Sequence, residues 1–209
     1  MRNTGRWQVV AEHRFVLASS NVGKVREINT MLADWSITVV SQSELGVPDI
    51  QETGQSFVEN ALLKARNAAT HTGLPAIADD SGIEVMALQG QPGIYSARYA
   101  GEGADDLANL EKLVAAVRAL PEDQRQARFV CSMVYLRHAQ DPVPLIAEGI
   151  WNGIAITEPV GENGFGYDPM FYVPEHDCTS AQLPPDVKNT ISHRGQALRL
   201  LISKLITEL

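Results

Sequence analysis

Apolar positions change period several times along the chain. Phe15-Val16-Leu17-Ala18 and Ile37-Thr38-Val39-Val40 are short apolar runs of buried-strand length. Between them Ile28, Met31 and Leu32 recur at helical spacing, which predicts a helix from about Val25. Gly46, Pro48 and Gly54 mark residues 44–55 as a loop, and Glu52 lies within it. Ser56 followed by Glu59 is a capping-box pattern that predicts a helix through about Ala69. Pro75 then leads into Ala76-Ile77-Ala78, a strand interrupted by Asp79-Asp80-Ser81-Gly82 before apolar residues resume at Ile83. Gly90, Pro92, Gly93 and Gly101 punctuate a long loop carrying Arg98. Leu107, Leu110, Val114 and Val117 predict an amphipathic helix over residues 105–119. Strand patterns follow at Phe129 to Leu136, 143–148 and 150–157, with Asp141-Pro142 as a turn between the first two. GENGFGYDP, residues 161–169, is a glycine-rich loop, and Phe171-Tyr172-Val173 is short and extended. Ser192 is the expected N-cap of a last helix reaching Leu205. Strands and helices interleave with no repeat and no linker, so the expected class is α/β with a mixed sheet.

Composition narrows the function. A chain of 209 residues fits one large domain or two intimate lobes, and 44% hydrophobic residues suffice for a substantial core. Residues 1–14 read as a variable N-terminal extension with a disordered first turn, and residues 15–209 as the domain. They lack an apolar h-region and a small-residue cleavage site, so no signal peptide is expected. A net charge of −8 disfavours a nucleic-acid polymer as partner but leaves room for a small anion held by a few lysines and arginines. The two cysteines, Cys131 and Cys178, are far apart, which argues against a disulfide framework or a structural zinc site and for a reducing cytoplasm. The five histidines form no HExxH motif, and no apolar run is long enough to span a membrane.

Four stretches carry candidate chemistry. Ser19-Ser20-Asn21-Val22-Gly23-Lys24 is a strand-turn-helix junction with small residues and a lysine, which suits an anion at a helix end. It is not a Walker A motif, because Val25 follows Lys24, and taken alone it reads more readily as a capped helix with a surface lysine. Asn60 and Lys64 share a helix face, either as a solvated stripe or aimed at a cleft where Lys64 offsets Asp79 and Asp80. Adjacent acids at the end of a buried strand suit a hard cation such as Mg²⁺, although Asp-Asp-Ser-Gly is also good turn chemistry. Ser81 stands where an aspartyl phosphatase would want its second acid, and no GxSxG elbow surrounds it. Phe165 and Trp151 could stack on a flat ring, or Trp151 could be a core aromatic. Lys188, His193 and Arg194 group three potential cations at or before a helix start, where they cost rather than gain energy, so an anionic or acceptor-rich ligand is expected there.

The segments LASSNVGKVREI, ETGQSFVENALLKARNAA, ADDSGIEVMALQGQPGIYSARYAG, GFGYDPMF and ISHRGQAL together resemble the inosine/xanthosine triphosphate pyrophosphatase family, in its bacterial form. The resemblance covers nearly the whole chain from Phe15. It implies an elongated two-lobed α/β fold around a long mixed sheet with a central substrate cleft, usually as a homodimer. It implies Mg²⁺-dependent hydrolysis of ITP, dITP and XTP to the monophosphate and pyrophosphate. By the same resemblance Ser19, Ser20, Asn21, Val22, Gly23 and Lys24 cradle the triphosphate. Asp80 takes up a proton and binds metal, with Lys64, Glu52 and Asp79 assisting. Ser81 touches substrate, and Phe165, Gly166, Tyr167, Asp168, Lys188, His193 and Arg194 surround the nucleoside; Trp151 joins the substrate-binding set on its own stacking reading. Ser20 departs from the family, which usually has glycine; a left-handed backbone there would cost about 1 kcal/mol or more. Two other readings compete: a pyrophosphatase for pyrimidine or methylated nucleotides, and a non-catalytic nucleotide sensor. The sensor has no use for Glu52, Lys64, Asp79 and Asp80.

Overall fold

The computed structural model describes residues 13–32 and 37–207. The expected N-terminal extension lies outside these residues except for His13 and Arg14, which open the first strand. The strands are β1 (His13–Leu17), β2 (Ile37–Ser41), β3 (Ala76–Val85), β4 (Gln126–Leu136), β5 (Leu145–Ala155), β6 (Phe171–Val173) and β7 (Cys178–Thr179). They form one sheet in the order β2-β1-β3-β4-β5-β6-β7. β1 is parallel to β2 and β3, and every later pairing is antiparallel, so the sheet is mixed as expected.

The helices are α1 (Val22–Leu32), α2 (Phe57–Thr72), α3 (Asp106–Arg118), α4 (Pro185–Ile191) and α5 (His193–Leu205). The capping box at α2 forms: Ser56 Oγ accepts from Glu59 N, and Glu59 Oε2 accepts from Gln55 N and Ser56 Oγ. The helix runs past Ala69 to Thr72 and stops at Gly73, whose φ of 68° suits a residue without Cβ. Ala61, Ala65, Ala68 and Ala69 line its buried face, so it lies close on β3.

Two expectations need correction, and one element was not expected. The 143–148 and 150–157 patterns are one strand, β5, which runs straight through Gly149. That glycine marks a close crossing: a Cβ there would collide with the backbone of His193 and Ala197 in α5. Leu107 lies in the first turn of α3 on the outer face and is 60% exposed; Leu110, Leu113, Val114 and Val117 form the buried stripe. The short helix α4 went unforeseen, because PDVKNTI has too few apolar residues to show a period.

The core is divided. Phe15, Leu17, Ile77 and Met133 pack with Ile28 of α1 and Leu198 and Leu201 of α5 on one face of the sheet. Val16, Ala76, Ala78 and Val134 pack under α2 on the other. Farther along the same strands, Ile83, Val85, Phe129 and Trp151 pack with α3, Phe171 and Val173. β3 therefore serves two lobes, with 76–78 in one and 83–85 in the other. Its polar residues 79–82 span the seam. β1 pairs with β3 only through Val16↔Ala76 and Leu17↔Ile77, and residues 91–96 cover the same edge at 83–85, so among the described residues the edge of β3 between these two stretches carries no paired strand.

Candidate active site

The turn before α1 is built from its own side chains. Asn21 Oδ1 accepts from Lys24 N at 3.1 Å and so caps α1, while Ser19 Oγ accepts from Asn21 N at 3.2 Å. The Val22 and Gly23 N–H groups, in the first turn, have no partner among the described residues. Ser20 is not left-handed; among described non-glycine residues only Gln89 and Asp177 have positive φ. The expected strain is thus absent. Ser20 Oγ instead donates to Asp49 Oδ1 at 2.7 Å, and Gln42 Nε2 reaches both groups.

The two acids diverge as alternation along a strand requires. Asp80 faces the cleft, where Lys64 Nζ binds Oδ1 at 3.0 Å and Asn60 Nδ2 donates to Oδ2 at 3.3 Å. Lys64 also binds Glu52 at 2.9 Å, and Arg98 holds the other Glu52 oxygen at 3.2 Å. Asp79 points the opposite way and is fully buried, with Lys24 at 3.0 Å and Arg194 Nε at 3.5 Å on the same oxygen, Oδ2. Its Oδ1 is buried without a partner.

The charges follow from these contacts. Burial would raise Asp79, but Lys24, then Arg194 and Lys64, overcome it and hold the carboxyl well below its usual range. For Asp80 burial wins over Lys64 and Lys24, with Glu52 adding repulsion, so its pKa is raised. Burial also pushes Glu52 up, but Lys64 and the Arg98 hydrogen bond bring it below its usual value. Lys64 is held protonated: burial disfavours its charge, and Asp80, Asp79 and Glu52 more than restore it.

At the other end, Lys188 binds Asp168 at 2.7 Å and Glu27 at 3.1 Å. Arg194 binds Glu27 through Nη1 and Ser81 Oγ through Nη2 at 3.1 Å. The cations at the start of α5 thus have the protein's own counter-ions. These cations therefore need no ligand anion, and of the two expected partners the acceptor-rich ligand stays compatible; Glu27, on α1, is the distant counter-ion that the sequence did not reveal. His193 is not a cation: burial, with Arg194 and Lys188 beside it, keeps its pKa well below the ordinary value. Its ring stacks on Phe129 at 4.7 Å and 10°, with Trp151 behind. Asp168 also accepts from Phe165 N and Ser180 Oγ, so it anchors the glycine-rich loop, and Tyr167 Oη donates to Ser96 O at 2.7 Å.

One cavity of about 300 Å³ joins these parts. The expected site residues line it except Val22, Gly23, Asp79 and Trp151. Val22 is 72% exposed, Gly23 lies beneath Phe165, and Trp151 is a core ring under His193. Asp79 does not fit as a metal ligand, since it is sealed from the cavity and already holds two cations. Glu52 and Asp80 do fit a hard divalent ion that takes few carboxylates. Sequence reasoning missed Gln42, Asp49, Ser96, Asp106, Asn109 and Phe129, which also line the cavity. Only tertiary packing gathers them. Glu27 was legible only as the missing partner of buried cations.

A profile of the Ham1 family matches residues 15–204. A dITP/XTP pyrophosphatase of Thioalkalivibrio sulfidiphilus (strain HL-EbGR7) is 60% identical over 192 residues, 92% of this chain and 98% of that protein. A dITP/XTP pyrophosphatase of Shigella flexneri is 57% identical over 192 residues, with the same 92% and 98% coverage. Among solved structures, a HAM1 protein from Coxiella burnetii aligns with TM-score 0.85 at 49% identity, over 94% of this chain and 100% of that chain. The Staphylococcus aureus Ham1 protein aligns with TM-score 0.81 at 44% identity, over the same shares.

Proposed function

The chain belongs to the Ham1 family, and on that premise we propose that it hydrolyses non-standard purine nucleoside triphosphates (ITP, dITP and XTP) to the monophosphate and pyrophosphate. The observation that carries this reading is the continuity of one cavity. It runs from the capped end of α1, past the Lys64–Asp80–Glu52 cluster, to the aromatic wall at Phe129 and His193. Phosphates, reacting centre and base would follow one another along it. The relatives named dITP/XTP pyrophosphatase support the same substrate class.

In this reading the Ser19-Ser20-Asn21 turn before α1 and the Lys24 ammonium, which line the cavity, receive phosphate oxygens. Asp79 positions Lys24 and Arg194 rather than touching substrate. Asp80 takes the proton of the attacking water, and Lys64 and Asn60 fix its orientation. The water oxygen bonds to the α-phosphorus while the α–β bridging bond breaks, and its electron pair leaves with pyrophosphate. Mg²⁺, held by Glu52 and Asp80, would supply neutralisation of the phosphate charge. Lys64 adds a fixed positive charge beside the same carboxylates.

Base choice rests on the neutral imidazole. His193 lines the cavity as a neutral ring whose Nδ1 is buried without a partner, and in this reading Nε2 carries the proton and meets the base. An Nε2–H donor suits a 6-oxo purine and meets a second donor in adenine's 6-amino group. Such a mismatch costs about 1–3 kcal/mol, or roughly ten- to over a hundredfold in rate. Cytoplasmic placement, Mg²⁺ dependence and a homodimer belong to the same proposal; light scattering of the purified chain reads its mass.

The deciding experiment is purified protein with Mg²⁺ against a panel of nucleoside triphosphates, with products identified. Fast turnover of ITP, dITP and XTP to pyrophosphate is expected. Orthophosphate release, or equal rates on ATP and ITP, sinks the proposal, and preference for pyrimidine or methylated nucleotides replaces it.

A further inference from the structure

Gly23 occupies the second position of α1, where glycine brings the helix no propensity advantage over alanine. Its bareness therefore needs a cause outside the helix. A Cβ at this position would lie 2.9 Å from Phe165 Cδ1 and 3.1 Å from Cε1. The Phe165 ring thus rests on the first turn of α1. It cannot easily retreat: Phe165 N donates to Asp168 at 2.9 Å, and the next residue, Gly166, donates to Asp106 at 3.0 Å. Positive φ angles at Gly164 and Gly166 shape the loop on either side of the ring. The same ring has Lys188 Nζ 5.2 Å and Arg194 Cζ 5.5 Å from its centroid.

Resting on the nucleotide reading above, we propose that Gly23 is a positioning residue that acts through Phe165. Its missing side chain seats the ring against the phosphate-binding turn and so fixes the spacing between base contacts and phosphate contacts. Added bulk at Gly23 pushes the ring out of place and weakens ligands that carry a base. It does not weaken ligands that consist of phosphates alone.

The test compares ITP with inorganic tripolyphosphate, a competitor without a base, in wild type, Gly23→Ala, Phe165→Ala and the double variant. Gly23→Ala is expected to raise KM for ITP about tenfold, the scale of overpacking one methyl group. It should move the tripolyphosphate inhibition constant by less than about twofold, and in the Phe165→Ala background it should add less than about twofold to the KM for ITP. Equal weakening of both ligands would assign the effect to the Asn21 cap, whose Oδ1 is also 3.1 Å from that Cβ, and would overturn the proposal. Additive losses in the double variant, or an unchanged KM for ITP, would overturn it as well. Wild type that binds tripolyphosphate but leaves ITP intact would instead defeat the functional reading. Cooperative unfolding of Gly23→Ala well above the assay temperature shows that the KM change is not a loss of folded protein, whatever the overpacking does to the midpoint.

Discussion

Asp79 and Asp80 are chemically identical neighbours with opposite surroundings, and replacing each by asparagine separates their tasks. Asp79→Asn removes the charge that two buried cations share, which costs about 3–5 kcal/mol. A lowered midpoint in chemical denaturation checks this. Asp80→Asn leaves Lys64 its partner Glu52, so the fold persists while turnover falls about 10²–10⁴-fold. Near-normal turnover would move the base elsewhere. His193 adds a pH dependence. Its folded pKa lies below the ordinary 6.5, so below that pH the unfolded chain binds the proton more readily than the folded one. Its contribution is complete above about pH 6.5 and is lost as pH falls, by at most about 1.4 kcal/mol per unit. Denaturation midpoints from pH 8 to 5 should show this slope, and His193→Phe should flatten it. The divergence of the two acids was legible in the sequence, because alternation along a strand is local geometry. The neutrality of His193 was not, since it depends on burial between Phe129 and two distant cations.

Elements whose signals are local were read correctly, and those set by packing were not. The Ser56–Glu59 box and the Ser192 cap both form, Ser192 Oγ accepting from Gly195 N at 3.2 Å. β5 was read as two strands because glycine usually punctuates, yet Gly149 is there so that α5 can cross the sheet closely. This crossing places His193 over Phe129. Gly149→Ala should therefore lift the start of α5, raising KM for ITP and lowering the thermal midpoint together. If only the midpoint falls, the crossing serves stability alone. Ser20 is a similar lesson: residue type suggested strain, but the turn takes a conformation that serine adopts freely, with Asp49 receiving its hydroxyl.

At the scale of the molecule, β3, β4 and β5 belong to the cores at both ends of the sheet. Neither lobe can lose its strands without exposing part of the other. Calorimetry should show one transition, with calorimetric and van't Hoff enthalpies equal. Two resolved transitions would mean that the seam uncouples the lobes. That seam was visible in the sequence only as a charge conflict inside an apolar run; the division of the core explains why it lies there.

The continuity of β3 also sets the phase of the whole site. Deleting one residue between Ile77 and Ile83 would turn every later side chain to the opposite face. If the loss fell before Asp79, that acid would move into the packed place of Ala78, Asp80 into that of Asp79 and Ser81 into the cleft, while Ile83 and Val85 lost their core. Only changes by pairs of residues keep the pattern, so the separation of the two lobes can vary only in steps of about 7 Å. In this way a strand fixes a distance that loops would leave free to drift.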